Sequence, residues 1–291
     1  MRKDASARQA SAGKTVEQEL TEEAEGSRFA INMKVSAYVP CYNGRSTILE
    51  TVQSIHDQTV PAAEILVIDD GSTDGSGDVS GVKVIRLKSN EGRGAARARA
   101  MVEAQHELAL GCDATLALDR RFLENALRWF RSERVAAVFG WIKDAAKPTA
   151  ANRWRGRHLF QSQLTQEETH FASLATGCFV VRKSAVQEVG GFNPALRAGE
   201  DADLGQRLLG AGFDVVFDPT LFACSYSVNS VWEVLERYAR WNTPRGMGVR
   251  DYLRQINYAL KVMVAADLRA KDFLGAGISL LSPHYQFWIR R

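Results

Sequence analysis

Two adjacent carboxylates, Asp69 and Asp70, follow directly after an apolar run in the first third of the chain. The run, residues 64–68, has the composition of a buried strand, and charged groups at the end of such a strand are costly unless they have partners. A carboxylate in this position can accept hydrogen bonds from the imide or amino edge of a nucleobase, or from a ribose hydroxyl. Residues 71–76 are rich in Gly, Ser and Asp, which are common turn formers. The pair therefore predicts a nucleoside-binding loop or, alternatively, a capped turn.

The first apolar run of the chain, residues 35–39, also ends in residues that suit binding. Pro40 has no amide hydrogen and ends the strand, and Tyr42 offers a flat face on which a base can stack. A simple turn with a packed tyrosine explains the same residues, so both interpretations stay open at this point.

Short apolar runs alternate with helical stretches from residue 34 onward, which predicts a parallel sheet with helices on both faces. The predicted strands of the first half are 35–39, 64–68, 82–87 and 108–112, and the predicted helices are 46–56, 93–104 and 120–130. The second half predicts strands at 176–182 and 215–217 and helices at 184–189, 200–210, 230–241 and 249–268. Ligands of such sheets bind beyond the carboxyl ends of the strands. The loops to consider are those at Pro40, Asp69, Asn90 and Asp113.

The composition is that of an ordinary globular protein. The chain has 291 residues, 45% apolar and 24% charged, and its net charge of +3 gives no reason to expect a nucleic-acid partner. Its four cysteines form no CxxC pair, which argues against a zinc site or a disulfide framework and favours a reducing compartment. No apolar run reaches the roughly 18 residues that span a bilayer, and no signal peptide is evident. We therefore expect a cytoplasmic protein.

The N-terminal residues 1–32 differ from the rest in composition. They are rich in Ala, Ser, Glu, Lys and Gln and poor in large apolar residues, so we expect a disordered N-terminal extension. An amphipathic helix over residues 15–24 is the alternative. Met33 stands directly before the first predicted strand and is an alternative start site.

Three short motifs carry a resemblance to a known family. Residues 39–43 (Val-Pro-Cys-Tyr-Asn), 69–74 (Asp-Asp-Gly-Ser-Thr-Asp) and 90–92 (Asn-Glu-Gly) occur together and in order, and in that combination the chain resembles the family-2 glycosyltransferases. The resemblance covers about residues 34–241. It implies an α/β protein with the GT-A fold, a single mostly parallel central sheet flanked by helices, with C-terminal helices after it.

The resemblance also implies a domain organisation. The GT-A glycosyltransferase domain spans 33–242, with a nucleotide-binding half at 33–118 and an acceptor half at 119–242. A C-terminal helical segment follows at 243–291.

For the donor nucleotide, the resemblance implies a base held by Pro40, Tyr42 and Asp70, with Asp69 supporting the loop. Asn43 and Arg97 complete the implied donor-binding set. Arg97 lies in an Ala-Arg-Asn element of the family, in which Ala98 replaces the asparagine here.

The family's next element is an Asp-x-Asp that holds Mg²⁺ or Mn²⁺ on the diphosphate. Alignment without a gap places Asp113 at the first Asp and Thr115 at the second, so one carboxylate is lost. The family's histidine near residues 224–226 is also missing. Three explanations stay open: Asp113 and the diphosphate hold the metal with water, metal dependence is weak, or the protein does not catalyse transfer.

The acceptor half of the resemblance centres on Glu200 and Asp201. These two residues match a Glu-Asp pair that opens a helix beneath the reaction centre, and Asp201 aligns with the base that deprotonates the acceptor hydroxyl in inverting members. Acidic residues also favour a helix N-terminus, which is the structural alternative for the pair and the interpretation we prefer for Asp203.

Residues 237–241 resemble the Gln-x-x-Arg-Trp signature of some members, with Arg237 in place of Gln. Arg237, Arg240 and Trp241 share one face of the predicted helix and suit an acceptor or the leaving diphosphate. A solvated basic helix with a buried Trp is the alternative.

Two other segments invite functional interpretation. The basic residues 153–158 suit an anionic acceptor or form an exposed basic loop. The C-terminal residues 278–291 suit a membrane interface, docking on the protein's own core, or continuation into a further domain.

Together these features predict an inverting transferase acting on a nucleoside-diphosphate sugar, with a UDP-sugar favoured. The acceptor is a glycan, a lipid-linked glycan or a protein, in surface glycan or glycoconjugate synthesis, with possible peripheral membrane contact through the C-terminus at the inner face. The alternative is a non-catalytic nucleotide- or glycan-binding scaffold. A nucleotidyltransferase ranks last, since it lacks a Gly-rich phosphate loop with a Lys near the first strand.

Overall fold

The computed structural model describes residues 33–144, 149–160, 167–242 and 247–290. The predicted disordered extension 1–32 and the alternative helix 15–24 lie outside the described residues. The strands are Val35–Cys41 (β1), Glu64–Asp69 (β2), Lys83–Arg86 (β3), Leu108–Cys112 (β4), Leu116–Leu118 (β5), Val135–Asp144 (β6), Cys178–Arg182 (β7) and Asp214–Ser225 (β8).

The described strands form one mixed sheet in the order β3-β2-β1-β4-β7-β6-β8-β5. Four of its seven pairings are parallel, namely β1 with β2 and β4, β2 with β3, and β6 with β8. The predicted single central sheet is thus confirmed. In β1 and β2 the last paired residues are Cys41 and Asp69, so the loops that follow them leave the sheet side by side.

Helices cover the sheet and follow it. They are Ile48–His56 (α1), Arg93–Glu103 (α2), Phe122–Leu127 (α3), Ala150–His158 (α4), Lys183–Glu188 (α5), Glu200–Gly210 (α6), Val231–Asn242 (α7), Val249–Tyr258 (α8), Ala265–Arg269 (α9) and Phe273–Arg290 (α10). A 3₁₀ turn at Arg128–Arg131 continues α3, and a π-helical segment at Ala259–Val264 joins α8 to α9.

Both faces of the sheet are buried, as is typical of a sheet with parallel strands. Alternate residues of β1 enter different cores: Val35, Ala37 and Val39 pack in one apolar cluster, whereas Tyr38 packs in another with Phe179. The period of two along a strand explains this division.

The edge of the sheet that carries β8 differs from the prediction, because β8 is 12 residues long rather than three. Pro219 interrupts the strand pattern, and proline is normally excluded from strand interiors. It is accommodated because the register with β6 shifts between the pairs Phe139–Phe217 and Trp141–Phe222. Strands β5 and β6 were also not predicted.

The basic residues 153–158 form a largely buried helix rather than an exposed loop. Trp154 is fully buried in a third apolar cluster with residues of α7, the π-helical segment and α10. Arg157 pairs with Asp267 at 2.7 Å and also with Asp272, while Arg153 pairs with Asp272 at 2.9 Å. These charges fasten α4 to the C-terminal helices.

The C-terminal helices therefore pack on the protein's own core. Trp154 Nε1 donates to Ser279 Oγ at 2.8 Å, and Ser279 donates to Asp267 at 2.5 Å. None of the helices in the described ranges combines the length and apolarity needed to cross a bilayer.

Candidate active site

A cleft of about 1450 Å³ opens at the carboxyl ends of β1, β2 and β4. The elements around it bring together residues that are far apart in the chain. Of the predicted site residues, those lining the cleft are Pro40, Tyr42, Asp70, Asp113, Thr115, Asp201, Arg237, Arg240 and Trp241. The others, Asn43, Asp69, Arg97 and Glu200, do not line it; their contacts show that they hold its walls.

The two carboxylates after β2 have different partners. Asp69, which is fully buried, accepts hydrogen bonds from Ser72 N–H at 2.9 Å and Arg86 Nε at 2.7 Å. Asp70 accepts from the N–H groups of Glu91 and Gly92 at 2.7 and 2.8 Å. Asp69 therefore closes its own loop, whereas Asp70 fixes the neighbouring loop and still borders the cleft.

Gly71 makes this close approach of the two loops possible. Its φ of +73° lies in the left-handed region, and a Cβ there would stand 2.7 Å from the backbone carbon of Ser89. Any side chain at this position would push the two loops apart.

Asn43 ties the loop after β1 to the loop after β2. Its N–H donates to Ser72 Oγ at 3.0 Å, and its side-chain oxygen accepts from Thr73 N–H at 2.9 Å. Asn43 adopts a φ of +50°, which asparagine tolerates better than most residues. Beside it, Tyr42 is 51% exposed and borders the cleft, so its ring is accessible to a ligand.

Arg97, which the resemblance implies to be part of the donor-binding set, does not line the cleft. The guanidinium is 1% exposed and donates to Glu200 at 2.6 Å, to Asp113 at 2.8 Å and to the Thr176 carbonyl at 2.8 Å. It therefore joins the nucleotide-binding half to the start of α6. The motif match identified Arg97 as a site residue, and we therefore expected a ligand contact. A motif contains no information on what the guanidinium group faces.

Glu200 and Asp201 occupy different environments although they are adjacent. Glu200 is 1% exposed, and burial raises its pKa against the opposing effect of Arg97. Asp201 is half-buried, borders the cleft, and accepts a hydrogen bond from Ala202 N–H at 2.9 Å at the start of α6. Of the pair, Asp201 is the carboxylate that can meet an acceptor, while Glu200 anchors the helix.

The residues at the expected metal position do not fit a divalent cation well. Mg²⁺ and Mn²⁺ need several oxygen ligands, with carboxylates preferred. Here Asp113 accepts a charged hydrogen bond from Arg97, and Thr115 supplies only a neutral hydroxyl. Within the described ranges, no group of three or more His, Cys, Asp or Glu side chains could hold a metal ion.

Arginines dominate the charge of the cleft. Besides Arg237 and Arg240, Arg93, Arg155 and Arg197 line it. The sequence had pointed to Arg155 only as part of the basic residues 153–158, and to Arg93 and Arg197 not at all. Arg93 directly follows the 90–92 motif, which was the one available signal for it. Arg155 lies in the basic residues 153–158. These residues are helical and largely buried because α4 packs against helices that are distant in the chain.

The mixed sheet and the cleft at its strand ends define an α/β protein that binds its ligand beyond the carboxyl ends of the strands. The family model described as Glycosyl transferase family 2 matches residues 36–190, more than half of the 291-residue chain. The chain belongs to this family.

Curated relatives agree with the family match. The chain is 32% identical over 113 residues to the putative teichuronic acid biosynthesis glycosyltransferase TuaG of Bacillus subtilis (strain 168), covering 36% of this chain and 45% of TuaG. It is 25% identical over 288 residues to the O-antigen chain rhamnosyltransferase RfbN of Salmonella typhimurium, covering 89% of this chain and 85% of RfbN. The chain spans less than half the length of the first curated relatives it matches.

Solved structures confirm the fold. S. aureus TarS 1–349 in complex with UDP-GlcNAc has a TM-score of 0.54 at 17% identity, over 86% of this chain and 91% of TarS 1–349. The mannosyltransferase PcManGT from Pyrobaculum calidifontis, in complex with GDP-Man and Mn²⁺, has a TM-score of 0.54 at 15% identity, over 92% of both chains. At such identities the likeness establishes the GT-A fold alone.

Proposed function

We propose that the protein transfers a sugar from a nucleoside-diphosphate sugar to a hydroxyl acceptor, with inversion at the anomeric carbon. One observation carries this proposal. Asp201, in the first turn of α6, borders the same cleft as Pro40, Tyr42 and Asp70. The proposed catalytic base and the proposed donor-binding residues therefore line one cleft.

The donor nucleotide lies in the loops after β1 and β2. Tyr42 stacks on the base, Pro40 packs against it, and Asp70 accepts a hydrogen bond with the lone pairs that Glu91 and Gly92 leave free. Since the related TarS and PcManGT structures hold UDP-GlcNAc and GDP-Man, uracil and guanine are the two bases to test, and we favour a UDP-sugar.

The transfer step uses Asp201 as the base. Its carboxylate takes the proton of the acceptor hydroxyl while the acceptor oxygen bonds to the anomeric carbon from the face opposite the nucleotide. The bond from that carbon to the diphosphate oxygen breaks, and the nucleoside diphosphate leaves with the bonding electrons. A carboxylate held at hydrogen-bond distance suits this proton transfer.

The acceptor belongs to a growing surface glycan, which the printed functions of TuaG and RfbN favour. We also propose peripheral contact with the inner face of a membrane through the C-terminal helices. Twelve of the twenty exposed large apolar side chains among the described residues lie between Val249 and Ile289.

Asp201→Asn tests the proposed base. The amide cannot accept the proton, so we expect turnover to fall by roughly 10²–10⁴-fold while the Kd for the donor stays within a few-fold. The matched control is Asp203→Asn, since Asp203 lies on the same turn and pairs with Arg207 at 2.5 Å. Near-normal turnover of Asp201→Asn in a radiolabelled-donor assay, with the control also active, would remove Asp201 from the mechanism.

The replacement of the second metal-binding Asp by Thr115 favours one rival, a non-catalytic scaffold that binds nucleotide or glycan. The rival predicts calorimetric binding of UDP or GDP with no donor consumption across a broad panel of donors and acceptors. Turnover that depends on Asp201 contradicts it.

A further inference from the structure

Of the five arginines that line the cleft among the described residues, four belong to three helices. Arg93 is the first residue of α2, Arg155 lies in α4, and Arg237 and Arg240 lie in α7. All four border the cleft together with Asp113 and Thr115, the residues at the expected metal position.

The positive charge of this group is only partly compensated. Arg155 pairs with Asp144, and Arg240 pairs with Glu236 at 2.9 Å. Neither Arg93 nor Arg237 has an ion-pair partner within 4.0 Å in the described part of the chain. Two cations without an ion pair therefore border a cleft in which Asp113 is already bound by Arg97.

The mutual repulsion of these cations is visible at Arg237. Burial and, after it, the nearby charges of Arg155, Arg93 and Arg240 lower the pKa of Arg237 to about 10, against a smaller opposing effect of Asp113. Arg237 is still protonated at neutral pH. A half-buried cation among like charges is destabilising, and a bound anion would relieve that cost.

We propose that Arg93 and Arg237 bind the diphosphate of a nucleoside diphosphate and take the place of a divalent cation there. This inference rests on the proposed function and identifies the residues that balance the negative charge of the donor's diphosphate. Guanidinium groups suit the task, because their planar N–H donors match phosphate oxygens two at a time. Arg155 donates hydrogen bonds to Asp144 and Ser225, which fix its side chain, and its positive charge also borders the cleft.

The same arrangement serves the reaction. Negative charge builds up on the diphosphate as the bond to the sugar breaks, and donors already aimed at that charge stabilise it. With the second Asp replaced by Thr115, the arginines that line the cleft, among them those of α2 and α7, carry the required sign.

Calorimetry with UDP and GDP, in EDTA and in Mn²⁺, tests the proposal. We expect at least one nucleotide to bind in EDTA with a Kd within about threefold of its value in Mn²⁺. Arg237→Gln and Arg93→Gln should each weaken this binding roughly 10- to 100-fold, as expected for a lost charged hydrogen bond. Arg237→Lys should recover part of it. The control is Arg254→Gln on α8, whose side chain is 69% exposed and does not line the cleft.

The outcomes separate the two proposals. If UDP and GDP bind only with Mn²⁺ and the arginine variants bind normally, the arginine site is overturned while the donor site stands. If neither nucleotide binds under any condition, the proposed function itself falls. Inorganic pyrophosphate should compete with the nucleotide. Its binding to protein already saturated with UDP would instead assign the arginines to an acceptor diphosphate and overturn the donor assignment.

Discussion

Arg97 is a buried cation that pairs with two carboxylates of the site. It lies between Asp113 and Glu200, which come from β4's end and from the start of α6. Breaking a buried ion pair by removing one partner leaves the other charges uncompensated. The ionised Glu200 is already disfavoured, because burial raises its pKa, and it depends on Arg97 for its charge balance.

Arg97→Met should therefore destabilise the fold by about 3–5 kcal/mol, the range for losing one member of a buried pair. Urea unfolding followed by circular dichroism measures the change. Arg99→Met is the matched control on the same helix, since Arg99 is 48% exposed and pairs with Glu103 at i,i+4. That surface pair should contribute less than about 1 kcal/mol. Equal losses in the two variants would contradict the role given to Arg97.

At the scale of elements, the parallel half of the sheet followed directly from the sequence. Strands β1, β2 and β4 are continuous apolar runs buried on both faces, which is the strongest pattern a sequence offers. Strand β6 is different, because Ala136, Ala137 and Gly140 give it low strand propensity. It becomes a strand through its neighbours β7 and β8, so only the tertiary structure reveals it.

The site residues also divide into those that local sequence predicted and those whose position depends on tertiary packing. The loops after β1 and β2 and the start of α6 were placed by local motifs, and they border one cleft as expected. The positions of Arg97 and Arg155 in the site were not predictable, since each depends on contacts 70 or more residues away in the chain. A motif identifies a residue, but the direction of its side chain follows from the packing around it.

The ionic cluster between α4 and the C-terminal helices predicts an acid-sensitive attachment. Hydrogen bonds from Arg153 and Arg157 hold the pKa of Asp272 well below its usual range. Against the effect of burial, hydrogen bonds from His158 and Ser279 also lower the pKa of Asp267. A carboxylate with a depressed pKa stabilises the fold above its unfolded pKa of about 3.9, and this contribution is lost as the pH falls toward the folded value.

Acidification below about pH 4 should thus loosen the C-terminal helices from α4. Hydrogen exchange of the amides of 273–290, measured by mass spectrometry between pH 6 and 3 and corrected for intrinsic rates, reports the attachment. Asp272→Asn should raise exchange already at pH 6 and reduce the further change on acidification. Asp251→Asn, at an exposed position of α8, is the control. Protection that is independent of both pH and Asp272 would contradict this account.

At the scale of the whole molecule, the cleft and the C-terminal helices are parts of one connected structure. Trp154 packs against Tyr238 of α7, the helix that also carries Arg237, and donates to Ser279 of α10. Ile289 near the end of α10 borders the cleft itself. The C-terminal helices therefore reach the cleft, and under the proposed function a membrane bound by them would lie near the acceptor.

The outer surface of these helices has the composition of a membrane-binding surface. Its exposed apolar side chains include Leu253, Phe273 and Leu274, and Phe273 and Leu274 are 75% and 70% exposed. Exposed basic residues lie among them, namely Arg250, Arg254, Lys261, Arg269 and Lys271. Apolar side chains combined with basic residues favour binding to anionic lipid surfaces.

Co-sedimentation with vesicles tests this surface directly. We expect the protein to bind vesicles of phosphatidylcholine and phosphatidylglycerol more strongly than phosphatidylcholine alone, and binding to weaken as salt is raised. The double variant Phe273→Ser, Leu274→Ser should weaken binding about tenfold or more, because two large apolar side chains no longer insert. Val102→Ser is the matched control, since Val102 is 76% exposed on α2. Equal binding of all three proteins, or no preference for anionic vesicles, would show that the C-terminal helices do not contact the membrane, and the acceptor would then reach the cleft from solution.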